Sequence, residues 1–86
     1  MIKLYQFISI FDNLNDIKVL RADCHKDSAY NYNPAFYHQI YYGRILDMSE
    51  DLMDYYVVEN SLSAEIDDTN YPYFTIVVVK DLPQNN

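Results

Sequence analysis

The run YFTIVVVK, from Tyr73 to Lys80, constrains the fold more than any other stretch of the sequence. It is almost continuously apolar and rich in β-branched residues, which predicts a central strand covered on both faces, or covered by a helix on one face. The chain has 86 residues, half of them apolar. That length supports one domain with one modest core and leaves no room for a second domain.

Two earlier segments have the composition of strands. KLYQFISIF and IKVLRA are rich in β-branched and aromatic residues, and DNLND between them has the composition of a turn. We therefore expect an antiparallel hairpin at the start of the chain. In the next segment, NYNPAFYHQIYYG, Pro34 and Gly43 suit the two ends of a short helix, whereas the tyrosines suit a strand. We expect a helical turn around Pro34 and then a strand from about Tyr37 to Leu46.

The second half of the chain adds a helix and two strands. Ser49 is a good N-cap for a helix running from Glu50 to about Val57. SLSAEID alternates apolar and polar residues and predicts a half-buried strand, with DDTNYP as the turn after it. The order of elements is roughly β-β-turn-β-α-β-β. It predicts an α+β fold for residues 1–86, a single small domain with a mainly antiparallel β-sheet of four to five strands and one or two short helices.

The negative charge lies in one half of the chain. Residues 1–42 carry four acids and four bases, whereas residues 43–86 carry nine acids against Arg44 and Lys80. The whole net charge of −7 therefore comes from the second half. A solvated surface that only keeps the protein soluble is one interpretation, and it accounts for Glu50 and Asp51 at the start of the predicted helix. It accounts less well for Asp54, Glu59, Glu65, Asp67 and Asp68, because an ordinary soluble surface intersperses both signs.

We interpret the acidic half as a surface that contacts a basic partner. Carboxylates spaced a few ångströms apart can imitate part of a nucleic-acid backbone, and tyrosine is favoured at protein interfaces. On the predicted helix the acids share one face, and we expect Tyr71, beside the turn, to be exposed. The predicted contact residues are Asp47, Glu50, Asp51, Asp54, Tyr55, Glu59, Glu65, Asp67, Asp68 and Tyr71.

In size, acidity and lack of catalytic motifs, the chain is similar to small inhibitors that phages and other mobile elements direct against host nucleic-acid enzymes, such as anti-CRISPR and anti-restriction proteins and uracil-DNA glycosylase inhibitors. The similarity is one of type. It implies a non-enzymatic protein that blocks a nucleic-acid-binding surface. An immunity protein or antitoxin that neutralises a basic nuclease toxin fits the same charge pattern. Direct binding to nucleic acid or to an anionic membrane is disfavoured, because both would repel the chain.

A small enzyme or ligand-binding domain is the alternative from a different class. His38 lies among Phe36, Tyr37, Tyr41 and Tyr42 and could act as a general base. Glycine-rich phosphate loops and metal-ligand spacings are absent, so we predict no metal and no cofactor.

The lone Cys24 and the lack of a signal-like or long apolar segment predict a protein of a reducing compartment, the cytoplasm, or the host cytoplasm if phage-encoded. A structural subunit that pairs with itself as a homodimer is a third possibility, since so small a core gains from association.

Overall fold

A five-stranded sheet organises the fold in the computed structural model, which describes residues 2–22 and 37–80. The sheet is mostly antiparallel with one parallel pair, so the predicted α+β class is confirmed. The helical turn expected around Pro34 lies outside the described residues. The elements are α1 (Leu4–Ile8), β1 (Asp16–Arg21), β2 (His38–Arg44), two 3₁₀ turns (Ile45–Asp47 and Glu50–Leu52), β3 (Tyr56–Val57), β4 (Ser63–Ile66) and β5 (Pro72–Val79).

Strand β5 is the centre of the sheet, as its apolar sequence predicts. It pairs in parallel with β1, from Ile17 opposite Phe74 to Arg21 opposite Val78. Its other edge pairs antiparallel with β4 and then with β3, and β2 pairs antiparallel with β1. The five residues 75–79 are all buried, which accounts for the continuous apolar run.

One side chain bridges the gap between β3 and β4 along β5. The chain leaves the sheet after Val58, whose N–H donates to the carbonyl of Val77 at 2.9 Å, and it turns through Asn60 at φ 61°. The Ser61 hydroxyl then accepts from the Val77 N–H at 3.1 Å and donates to the Val58 carbonyl at 2.7 Å. A hydroxyl thus takes the place of a missing strand residue and keeps the backbone of β5 satisfied.

The main core lies on one face of the sheet, which we call the core face. Helix α1 and residues 45–55 cover it and pack Leu4, Ile45 and Met48 against Ile17 and Ile76. The opposite face, which we call the second face, carries a smaller apolar cluster around Val77 and Val79. Because β5 contributes side chains to both clusters, it is buried from both sides.

The predicted hairpin at the start of the chain is wrong. KLYQFISIF forms α1 instead of a strand, and β1 takes β2 as its antiparallel partner. Leu4, Phe7, Ile8 and Phe11 are spaced as one helical stripe, and both Leu4 and Ile8 are buried against the sheet. The Gln6 side chain accepts from the Lys3 N–H at 3.0 Å and closes the first turn. Burial of this stripe outweighs the β-propensity of its residues.

The predicted helix from Glu50 to about Val57 is also wrong beyond its first turn. Ser49 does cap it, accepting from the Asp51 N–H at 3.3 Å, but the segment is a single 3₁₀ turn that ends at Leu52 and is closed by the Met53 N–H, which donates to the Glu50 carbonyl at 3.0 Å. Tyr56 and Val57 instead pair with the end of β5 as β3. Two β-forming residues beside an unpaired strand end gain more from the sheet than from another helical turn.

The remaining predictions for the described residues are largely confirmed. The strand expected from about Tyr37 to Leu46 is β2, and the turns DNLND and DDTNYP form where expected. Strand β4 forms too, but its predicted half-burial is wrong because all four of its residues are exposed. No other described element packs over its apolar side.

Candidate functional site

The acidic segment crosses the core face from the end of β2 to the start of β3. We call residues 45–55 the acidic crossing. It is held at its start by hydrogen bonds from the Ile45 and Leu46 N–H groups to the carbonyls of Asn15 and Asn13, at 3.0 and 2.9 Å. Ile45 and Met48 are buried, and Leu52, Met53 and Tyr55 pack against the core. These five apolar side chains are thereby fixed inward, whereas Leu46, which is 57% exposed, faces outward with the polar ones.

Four carboxylates stand on the outer surface of the acidic crossing, namely Asp47, Glu50, Asp51 and Asp54, and all four are exposed. Asp47 pairs with Arg44 at 3.2 Å and Asp54 pairs with Lys3 at 3.6 Å. Glu50 and Asp51 make no ion pair within the described residues. The helix that was predicted to align these acids is absent beyond one 3₁₀ turn, yet all four are exposed on a segment whose buried side chains pack against the core.

A recess of about 260 Å³ opens at the end of the acidic crossing, lined by Asp51, Asp54, Tyr55 and Lys80. Tyr55 forms its aromatic wall and is half-buried rather than freely exposed. The Arg21 guanidinium lies 5.7 Å from the centre of the Tyr55 ring and donates to its hydroxyl at 3.5 Å. Tyr55 therefore supports the recess, and only its accessible edge can touch a partner.

Two other predicted contact residues are engaged within the β4–β5 hairpin. The Asp67 carboxylate accepts from the Thr69 N–H at 2.8 Å, the Thr69 hydroxyl at 2.7 Å and the Tyr71 N–H at 2.9 Å. The side-chain bond from Thr69, followed by the backbone bond from Tyr71, holds the pKa of Asp67 below its usual value. Glu65 accepts from the Tyr73 hydroxyl at 2.8 Å, and this hydrogen bond raises the pKa of Tyr73.

The structure separates the ten predicted residues into two groups. The first is the acidic crossing on the core face. The second lies along β4 and the turns at its ends, with exposed Glu59, Asp68 and Tyr71 beside the engaged Glu65 and Asp67. Tyr71 is 51% exposed, which confirms its predicted exposure. The two groups do not form the single row of charges that one helix followed by a strand would give.

Sequence reasoning missed an aromatic cluster on the second face. The Lys18 ammonium lies 5.6 Å from the ring centre of Tyr42 and 5.0 Å from that of Tyr73, and the two rings are 5.5 Å apart. The pairing of Lys18 with Tyr42 across β1 and β2 brings them together. Lys18 alternates with buried Ile17 and Val19, and this alternation was the signal that Lys18 faces the other side of the sheet. The register that brings Tyr42 and Tyr73 beside it cannot be read from one sequence.

The described residues do not enclose His38, around which the alternative enzyme site was predicted. His38 is exposed at the start of β2, and Tyr41 and Tyr42 point to opposite faces of the sheet. Phe36, Cys24 and His25 lie outside the described residues. In residues 2–22 and 37–80, no three His, Cys, Asp or Glu side chains gather as metal ligands, and no helix there is long and apolar enough to cross a membrane.

Comparison with known proteins finds no matching family model, no matching curated protein and no matching solved structure. The function must therefore be inferred from the residues and geometry of the chain itself.

Proposed function

We propose that this protein is a non-enzymatic binding protein that blocks a basic, nucleic-acid-binding surface of another protein through its acidic crossing. The observation that carries the proposal is the display of four exposed carboxylates on a segment anchored in the core, two of them without an internal ion pair among the described residues. An inhibitor of a nucleic-acid enzyme and an immunity protein against a nuclease toxin would share this mechanism.

The fixed backbone supports this function, because a preorganised surface loses little conformational entropy when it binds. Both ends of the acidic crossing are tied down, the first through Ile45 and Leu46, the second by the Tyr5 N–H, which donates to the Met53 carbonyl at 3.3 Å. The backbone that carries the four carboxylates therefore has the same conformation before and after a partner binds.

The charge pattern supports a basic partner. No lysine or arginine occurs between Ile45 and Val79. The negative charge of the four carboxylates is therefore offset only by the ion pairs that Asp47 makes with Arg44 and Asp54 makes with Lys3. Phosphates recur at about 3.4 Å of axis per DNA strand, a spacing that neighbouring carboxylates can imitate. The recess places two carboxylates, Asp51 and Asp54, against the single base Lys80, so an entering lysine or arginine side chain would meet a net negative lining, with its aliphatic part along the accessible edge of Tyr55.

The test compares two variants of equal charge. Glu50→Gln with Asp51→Asn changes the net charge from −7 to −5 at the acidic crossing. Ile10→Lys with Gln39→Lys makes the same change at exposed positions outside the acidic crossing. Each protein is used to capture partners from a lysate of the natural host at low and high salt, and a duplex oligonucleotide is added as competitor.

We expect the wild type and the lysine variant to capture a nucleic-acid-binding protein that the duplex displaces and that high salt releases. The amide variant should bind that partner about tenfold or more weakly, because only it loses charges at the interface. The proposal fails if the amide variant binds as tightly as the wild type, or if the duplex does not compete.

A further inference from the structure

The outer edge of β4 offers backbone groups to another strand. The Asp67 N–H donates to the Tyr71 carbonyl at 3.0 Å, and hydrogen-bonded pairs alternate along an antiparallel ladder. Glu65 and Ser63 therefore point their backbone groups towards β5, while those of Ala64 and Ile66 point away from it. Pro72 lies opposite Ile66 and agrees with this alternation, because a pair that is not hydrogen-bonded needs no N–H from position 72.

The position beside this edge, which we call the gap, holds no strand among the described residues. Residues 2–4 already occupy the corresponding position beside β3, where the Val57 N–H donates to the Ile2 carbonyl and the Leu4 N–H to the Tyr55 carbonyl, both at 2.8 Å. No described strand continues that row beside β4. A recess of about 410 Å³ lies where residues 2–4 end and the gap begins, with Ile2, Phe7 and Leu62 in its lining.

The side chains at this edge are apolar on one face. Leu62 and Ile66 are 44% and 68% exposed, and Ala64 between them is also exposed. Their alternation with Ser63 and Glu65 is the pattern of a strand that buries one side. The edge also lacks the lysines, prolines and bulges that usually protect an exposed edge strand from pairing.

The rim of the gap is negative. Glu59 stands at one end of β4, Asp67 and Asp68 stand at the other, and Glu65 lies on its polar side. No base is present in this part of the sequence to balance them. An incoming strand therefore gains from basic side chains beside Glu65 and apolar side chains beside Leu62, Ala64 and Ile66.

We propose that β4 is a docking site for an extended segment of the partner, which adds as a strand and alternates apolar with basic residues. The basic character of this partner rests on the proposed function. A second copy of this chain is a poorer occupant, because each copy carries −7 and pairing of two β4 edges would bring their acidic rims together. Strand addition also gives Glu59 and Asp68, which lie outside the acidic crossing, a role in recognition.

The first test uses a synthetic peptide, Lys-Val-Lys-Val-Lys-Val-Lys, followed through the backbone amide resonances of the protein. We expect saturable shifts at residues 62–66 and slower hydrogen exchange at the Ala64 and Ile66 N–H groups, which point towards the gap. A peptide of the same composition with its valines in one block is the control. Equal binding of the block peptide, no binding, or shifts confined to other surfaces would overturn the proposal.

The second test uses matched variants. Ile66→Lys should weaken binding of the alternating peptide about tenfold, whereas Leu14→Lys, at a turn residue that is 61% exposed, should change it less than about twofold. Ala64→Pro removes an outward N–H without removing a bond to β5, and should weaken binding while the unfolding transition persists.

Two further measurements separate the possible failures. Sedimentation without peptide that shows a dimer with protected β4 amides would make a second copy the occupant and refute the proposal. The Glu50→Gln, Asp51→Asn variant should bind the peptide at β4 as the wild type does. The docking site and the acidic crossing can therefore fail independently.

Discussion

Replacing Ser61 by alanine tests whether one hydroxyl holds the two halves of the β5 edge together. In the wild type this hydroxyl accepts from the Val77 N–H at 3.1 Å, and Val77 is 7% exposed. Alanine would leave that N–H without its acceptor inside the sheet. An unsatisfied buried donor costs about 1 to 3 kcal/mol. For a domain of this size, each kcal/mol lowers the melting temperature by about 4 to 8 °C.

The assay is thermal and urea unfolding of Ser61→Ala beside Ser63→Ala. Ser63 lies on β4, is exposed, and makes no side-chain hydrogen bond within the described residues, so its replacement should stay within about 0.5 kcal/mol of the wild type. Hydrogen exchange at the Val77 amide should accelerate in the Ser61 variant alone. If both variants unfold alike and the Val77 amide exchanges at the wild-type rate, the bridging role assigned to Ser61 is refuted.

Two other predictions concern Gly43 within β2 and the turn at Asp67. Gly43→Ala should lower the free energy of unfolding by about 1 kcal/mol or more, because residue 43 adopts φ 152° and an added Cβ would lie 3.0 Å from the Tyr41 hydroxyl oxygen; equal stability in urea unfolding would contradict this. Hydrogen bonds to the Asp67 carboxylate stabilise the β4–β5 turn above the unfolded-state pKa of Asp67, and this stabilisation should be lost as the pH falls through the lower folded-state pKa. An NMR titration of the Asp67 carboxyl carbon should show a midpoint below that of an unfolded aspartate, and Asp67→Asn, used as control, should lack this contribution to acid-dependent unfolding.

The sequence predicts elements well where pattern and burial agree. The run that forms β5 is apolar on both faces because the core face and the second face are both covered there. The turn at Asp67 is predictable because aspartate bonds to backbone N–H groups two to four residues ahead. In both cases local chemistry and tertiary environment favour the same structure.

The failures occur where two periodicities fit the same residues. In KLYQFISIF, β-branched and aromatic residues suggested a strand, but the spacing of Leu4, Phe7, Ile8 and Phe11 is helical, and the sheet decides between them by burying that stripe. The parallel pairing of β1 with β5 depends on contacts between residues more than fifty positions apart, which no local pattern reports. For the same reason the sequence could not place Lys18, Tyr42 and Tyr73 together.

The structure also sorts the predicted acids by what each does inside the molecule. Asp47 and Asp54 have ion-pair partners, Glu65 accepts from Tyr73, and Asp67 caps its turn, so these four have intramolecular reasons to be acidic. Of the predicted contact acids, those that bind no other side chain within the described residues are Glu50, Asp51, Glu59 and Asp68. Glu50 and Asp51 stand in the first turn after Ser49, where negative charge is mildly favourable, but Glu59 and Asp68 have no such position and add repulsion, so stability alone does not account for the whole set. Glu50 and Asp51 stand on the acidic crossing, whereas Glu59 and Asp68 flank β4. The carboxylates without an internal side-chain partner thus lie at the two surfaces proposed for binding, and substitutions there should impair binding while leaving stability largely unchanged.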